Sequence, residues 1–285
     1  MVGSFTTRFA PSPTGRLHKG HAFSAWTAHT AAQAQAGRFL LRIEDIDRAR
    51  SRPQFEAAII EDLTWLGLDW AAPIRRQSDH MDDYAQALER LKARGLLYRC
   101  FKTRREILED IGRAPHGPAL AYRGAPLAPA EETARLAAGE PFAWRLSLRA
   151  ARRALGRAAW DALSFVEEGR GPDGQRGVIQ ARPALAGDAV LARKDADVAY
   201  HLAVVVDDAI QGVSHVIRGE DLHEAAHIQR LLQALLEVPS PIYRHHPLLA
   251  APDGKRLAKR DLSETLADIR ARGVSASQLK AELGF

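Results

Sequence analysis

The sequence predicts an α/β protein, a parallel sheet flanked by helices and split by an inserted small α+β domain. Three observations carry this. Residues 1–97 and 186–245 alternate strand-like and helix-like segments, whereas 98–185 between them has a broken apolar pattern and seven of the fifteen prolines. Charged residues follow directly on the strand candidates, where open parallel sheets bind ligands. Residues 246–285 read as a cationic loop and a short helical segment.

Thr7–Ala10 is the first strand candidate, followed by the proline-stiffened turn Pro11-Ser12-Pro13-Thr14-Gly15. An alanine-rich helix runs from Lys19 to Ala36 and ends at Gly37. Arg38–Ile43 is mostly apolar, as a central parallel strand should be, and leads into Glu44-Asp45-Ile46-Asp47. Pro53 opens a second helix that reaches Gly67, and Met81 to Gly95 forms a third, amphipathic one. Strand character returns at Ala199–Val206, with Asp207 and Asp208 behind it, and again at Val213–Arg218. A helix from Asp221 to Leu236 and a strand over Ile242–Leu249 complete the second half.

Composition narrows the class. The chain has 285 residues, 46% of them hydrophobic and 26% charged, which excludes general disorder. No apolar run approaches the ~18 residues of a membrane span, and the N-terminus lacks the apolar stretch of a secretory signal. Cys100 is the only cysteine, so an intramolecular disulfide and a cysteine-rich zinc site are both excluded and a cytoplasmic setting is expected. The net charge of +5 is sorted into blocks. Arg145, Arg149, Arg152, Arg153 and Arg157 occur with no acid between Trp144 and Arg157, and five more basic residues lie between Arg244 and Arg260. Such blocks suit a polyanionic partner, although a solvated helix face would look the same.

Four segments carry chemistry. His18 and His21 are three apart at a helix start, so both imidazoles can address one ligand, and Gly20 lets a phosphate approach the backbone. The helix N-terminus adds positive potential there. Arg42-Ile43-Glu44-Asp45-Ile46-Asp47 ends a strand, Tyr200 to Asp208 precedes Ile217-Arg218-Gly219-Glu220-Asp221, and Gly254 to Arg260 is a cationic loop. Read singly, each has a plain alternative: an incidental histidine pair, an acidic helix cap, a buried core strand, a solvated turn.

In this order, however, the segments resemble the signatures of the class I aminoacyl-tRNA synthetases, in their glutamyl branch. His18-Lys19-Gly20-His21 is similar to the HIGH motif with lysine replacing isoleucine, and Arg256-Leu257-Ala258-Lys259-Arg260 is similar to KMSKS in its glutamyl form KLSKR. The RFAPSPTG opening, RIEDID, AYHLAVVVDD and VIRGEDL resemble further segments of that branch, and the likeness runs from about residue 6 to residue 265. It implies a Rossmann-type catalytic sheet. Because 25 residues follow Arg260, a helical anticodon-binding domain is not expected, and the chain resembles the truncated branch that glutamylates queuosine in tRNA(Asp).

The resemblance implies ATP-dependent, tRNA-independent activation of L-glutamate, with Mg²⁺, and transfer to the queuosine base at the wobble position of tRNA(Asp). His18, His21 and Lys259 would be catalytic, and Gly20, Arg256, Leu257 and Ala258 would join them in binding ATP. Arg8, Phe9, Ala10, Pro11, Ser12, Glu44, Tyr200 and Arg218 would bind glutamate. Two cations and one anion match its two carboxylates and its ammonium. The order in which Arg8 and Arg218 take the carboxylates is open, with Arg8 favoured for the side chain. Arg145, Arg149, Arg152 and Arg153 are the tRNA-binding candidates, sharing one face if their stretch is helical. Many relatives hold zinc in the insertion through Cys-x-Cys and Tyr-x-x-x-Cys. Here Cys100 and Tyr122 stand beside Lys102 and Pro126 instead of the other cysteines, so no structural zinc is expected. A monomer without membrane contact is expected. The rival readings are a reduced synthetase charging a tRNA 3′ end and a non-catalytic paralogue that binds tRNA or an amino acid.

Overall fold

The structure, a computed structural model, describes residues 4–103, 105–108, 121–193, 198–249 and 264–285. Its centre is a parallel sheet built in two halves. In the first, β1 (Thr6–Phe9) pairs with β2 (Arg38–Ile43), and β2 with β3 (Ala71–Arg76). All of β1 and all but the first residue of β2 are buried, and β2 accordingly reads as a mostly apolar run. In the second half, β9 (His215–Gly219) pairs with β10 (Ile242–His246), and β10 with β6 (Ser164–Glu167). The antiparallel β7 (Gly177–Gln180) closes that edge.

Ser214 stitches the halves together. Its Oγ accepts from the Thr6 amide at 2.8 Å, and its own amide donates to the Thr6 carbonyl at 2.9 Å. The chain leaves β1 towards β2 and leaves β9 towards β10, in opposite directions along the sheet. The crevice at the C-terminal ends of β1 and β9 is thus the switch point at which doubly wound sheets take ligands. The α/β class and the parallel sheet read from the sequence are those of the structure.

A separate antiparallel sheet holds β4 (Leu97–Cys100), β5 (Ala143–Leu146) and β8 (Val190–Arg193). The stretch 98–185 therefore feeds two sheets, since β6 and β7 belong to the central one. The buried carboxylate of Asp188 knits the antiparallel sheet to its surroundings, accepting from Tyr98 Oη at 2.9 Å and from the amides of Gly124 at 2.9 Å and Leu148 at 3.0 Å.

Helices α1 (Lys19–Ala34), α2 (Pro53–Trp65) and α3 (Met81–Ala93) follow the sequence reading, as does the helix over His223–Leu236. Strand β3 is absent from the sequence reading, and one segment of that reading changes type. Ala199–Val206 reads as a strand, yet Tyr200–Ile210 is a helix, with Leu202 to Asp208 all buried. A helix enclosed on every side shows no amphipathic period, so its valine run is indistinguishable from a buried strand by pattern, and packing overrides β-branched propensity. The chain-terminal segment contains two short helices, Leu266–Ala271 and Ala276–Glu282, each opened by a reciprocal capping box from Thr265 or Ser275.

Candidate active site

A cavity of about 360 Å³ opens at the switch point. β1 and the turn after it contribute Arg8, Phe9, Ala10 and Ser12; α1 contributes Ser24; Glu44 follows β2. The helix starting at Tyr200 contributes that residue, and the end of β9 contributes Ile217, Arg218, Gly219 and Leu222. Pro11 is not among the lining residues; its carbonyl instead accepts the Glu44 amide at 3.0 Å, which ties the first turn to the end of β2.

The charges in the cavity are held from behind. Arg8 Nε donates to Asp208 Oδ1 at 3.1 Å. The same carboxylate oxygen accepts from Arg42 Nη1 at 2.8 Å, and Arg42 also pairs with Glu44 at 3.3 Å. Arg42 has no exposed surface, so it can only serve the groups around it. Burial would push the Asp208 carboxyl up, but Arg8 and Arg42 outweigh it and hold it below the usual carboxylate range. Burial pushes the Glu44 carboxyl up, with Arg42 and Arg8 pulling it down. Asp207, next along the helix, accepts from Arg75 and Gln77 at 2.8 Å each and from Tyr84 Oη at 2.9 Å.

Arg218 is treated differently, because every described partner it has is neutral. Nε donates to His245 Nε2 at 3.0 Å, Nη1 to Gln229 Oε1 at 3.0 Å and, at 3.5 Å, to Tyr200 Oη; Nη2 donates to the Leu222 carbonyl at 2.9 Å. Four of the five N–H groups of a guanidinium are thereby directed, and the charge itself is left for whatever enters the cavity.

The histidine pair lies at the N-terminus of α1, with ring centroids 3.8 Å apart. His18 Nδ1 accepts the Gly20 amide at 3.1 Å, and His21 Nδ1 accepts the His18 amide at 3.2 Å. A neutral imidazole that accepts at Nδ1 carries its proton at Nε2, so both rings are set as Nε2–H donors. A Cβ on Gly20 would stand 3.0 Å from the His18 ring, which explains the glycine between them. Lys19 pairs with Glu282 of the last helix at 2.5 Å. Ser24, one turn beyond His21, connects the motif to the cavity.

Lys259, Arg256, Leu257 and Ala258 lie outside the described residues. The chain on either side of them is placed, however: Leu248 is beside Gly219 at the cavity, and Thr265 bridges to His18.

Comparison with known proteins gives the family. The model of the class I tRNA synthetases (E and Q), catalytic domain, matches residues 4–279. A glutamyl-Q tRNA(Asp) synthetase of Rhodobacter capsulatus is 47% identical, the match covering 98% of this chain and 99% of that one. The chain belongs to this family. A glutamyl-Q tRNA(Asp) synthetase of Symbiobacterium thermophilum is 42% identical over 98% of this chain and 85% of its own. The solved glutamate tRNA ligase of Elizabethkingia meningosepticum, in complex with its amino acid, superposes with a TM-score of 0.80 at 25% identity, covering 99% of this chain. The chain spans 61% of that longer protein.

The arginine block divides. Arg149, Arg152 and Arg153 are exposed on the helix Leu148–Asp161. Arg145 precedes it on β5, so the four do not form one helical stripe; its guanidinium donates to the Asp188 carbonyl at 2.7 Å and lies over the Tyr122 ring. Sequence reasoning missed Ser24, Leu222, Asp208, His245 and Glu167 as members or supports of the site. Only Asp208 left a signal, as an unexplained acid behind an apolar run; the others are brought in by sheet register and helix face.

Proposed function

We propose that this protein activates L-glutamate with ATP and transfers it to the queuosine base at the wobble position of tRNA(Asp). The observation that carries the reading is a cavity with two arginines and one carboxylate at the switch point, in a chain 47% identical over almost its whole length to a glutamyl-Q tRNA(Asp) synthetase. An acidic amino acid needs that complement, Arg8 and Arg218 for its carboxylates and Glu44 for its ammonium, with Ser12 and Tyr200 supplying hydroxyl contacts and Phe9, Ala10 and Pro11 the wall and turn behind Arg8.

In the activation step an α-carboxylate oxygen of glutamate bonds to the α-phosphorus of ATP, and the bond to the bridging oxygen breaks, releasing pyrophosphate. The protein's part is positioning and charge. Its Nε2–H donors at His18 and His21, with Gly20 between them, suit phosphate oxygens. Arg256, Leu257, Ala258 and Lys259 would bind the same phosphates, Lys259 as a compact point charge, a role supported by the placement of Leu248 and Thr265 at the two ends of that segment. Mg²⁺ accompanies ATP and neutralises its charge. Arg149, Arg152 and Arg153 would follow tRNA phosphates, giving register without base reading, with Arg145 in a supporting position.

ATP–pyrophosphate exchange, measured without tRNA for each amino acid, tests the activation step. Exchange with glutamate alone is the expected result; exchange with no amino acid, or only when tRNA is added, would overturn it.

A further inference from the structure

Strand register brings a second layer of groups behind Arg218. β9 and β10 align Arg218 with His245, and β10 aligns Tyr243 with Glu167 of β6. Glu167 and His245 are both buried, at 0% and 2% exposure. Glu167 Oε1 accepts two backbone amides, those of His245 at 2.9 Å and Gly169 at 2.8 Å. Its Oε2 is 2.5 Å from His245 Nδ1. A carboxylate only accepts, so the imidazole proton sits on Nδ1, and Nε2 is left as an acceptor for Arg218 Nε–H at 3.0 Å. Gly169 completes the arrangement, since a Cβ there would stand 2.1 Å from the His245 carbonyl oxygen.

We propose that Glu167 and His245 are positioning residues for Arg218, a relay whose fixed tautomer turns the guanidinium so that its remaining N–H edge faces a glutamate carboxylate in the cavity. The inference rests on the reading of that cavity as the glutamate site. An acid placed directly on Arg218, as Asp208 is on Arg8, would orient the side chain but also neutralise it. A neutral ring between the two orients the guanidinium and keeps the carboxylate one imidazole away from the substrate. Burial supports the neutral ring, pushing His245 down to about 4. Glu167, His223 and His245 also bring potential metal-ligand atoms within 4.8 Å of one another. Yet both nitrogens of His245 are already engaged, so a metal ion would have to displace either Glu167 or the guanidinium.

The test measures pyrophosphate exchange in the full chain with glutamate and ATP varied in turn, for H245L, H245Q, E167Q and R218A. In H245L the Arg218 Nε–H loses its acceptor, and the glutamate KM should rise roughly tenfold or more while the ATP KM stays within about twofold. H245Q places an amide oxygen near the position of Nε2 and should restore the glutamate KM to within about threefold of the parent protein. In E167Q the amide nitrogen faces Nδ1, drives the ring proton to Nε2 against Arg218, and should raise the glutamate KM. Nitrogen-15 spectra of the parent protein should show the Nδ1-protonated tautomer at neutral pH. A folded H245L or E167Q with an unchanged glutamate KM, or an Nε2-protonated ring, overturns the relay. If H245L does not fold, E167Q and the tautomer decide. R218A separates the two failures: an unchanged glutamate KM in R218A sinks the cavity reading and the relay with it, whereas a raised KM in R218A alone sinks only the relay.

Discussion

Arg42 touches no solvent, and it sets where the cavity's charges stand. It shares Asp208 with Arg8 and pairs with Glu44, so one buried cation fixes a facing cation and a facing anion together. Keeping such a group dry is costly, and the three acids around it, Asp208, Glu44 and, at 3.6 Å, Asp207, offset that cost; removing any one partner leaves a charge stranded. The same reasoning applies to the facing residues once a ligand is bound. Replacing Arg8 or Arg218 by alanine leaves a substrate carboxylate in a partly dry pocket without its partner. The expected loss is about 2–5 kcal/mol, read as a raised glutamate KM in pyrophosphate exchange. An Arg218→Ala protein with a normal glutamate KM would show that the cavity takes something else.

Among the elements, the helix Leu148–Asp161 presents Arg149, Arg152 and Arg153 to solvent, and Gly156 breaks its regular geometry with φ of 77° before Arg157. Exchanging Arg149 and Arg153 for glutamate should weaken transfer to tRNA and flatten its salt dependence, by about one unit of slope for each phosphate that is no longer bound. Pyrophosphate exchange should be untouched, and loss of activation together with transfer would contradict this placement. The same helix shows what a sequence can and cannot reveal. Its start follows from Ser147, which caps the Ala150 amide, but Arg145 belongs to β5, and no local signal separates that strand from the helix after it. Arg8, Ser12, Glu44, Tyr200 and Arg218 were legible because each lies in a segment with a recognisable texture after a strand candidate, and the fold gathers all five at one cavity. Tyr200 was legible as a residue while its element was misread, because a valine run buried on all sides has no period. Asp208 showed only as an unexplained acid, and Glu167 and His245 stayed hidden, because their roles come from pairings across 200, 78 and 27 residues of chain.

Across the protein as a whole, burial leaves a signature in pH. Burial holds His201, His227 and His245 down to about 4, so the unfolded chain takes up protons that the folded chain refuses as pH falls from about 6.5. Their contribution is complete above that window and is lost through it. Asp62 acts in the opposite sense: burial pushes it up to about 6, and neither of its oxygens accepts a hydrogen bond among the described residues. Three histidines against one aspartate predict a Tm that falls between pH 7 and pH 5, and a Tm that rises there would contradict the burial argument. In the insertion, Cys100 Sγ is 3.9 Å from Tyr122 Oη, and Asp188 binds the surrounding chain by hydrogen bonds. With Lys102 and Pro126 standing where zinc-binding relatives have cysteines, purified protein is expected to carry no stoichiometric zinc in the insertion, with a Tm indifferent to chelators; one zinc per chain at Cys100 would refute this. The decisive question is whether glutamate ends on a base or on a terminal ribose. Transfer of labelled glutamate to three forms of tRNA(Asp) answers it: with queuosine, without it, and with queuosine but lacking the 3′-terminal adenosine. Labelling of the first and third forms and none of the second is expected. Labelling that requires the 3′-terminal adenosine and ignores queuosine would contradict transfer to the base.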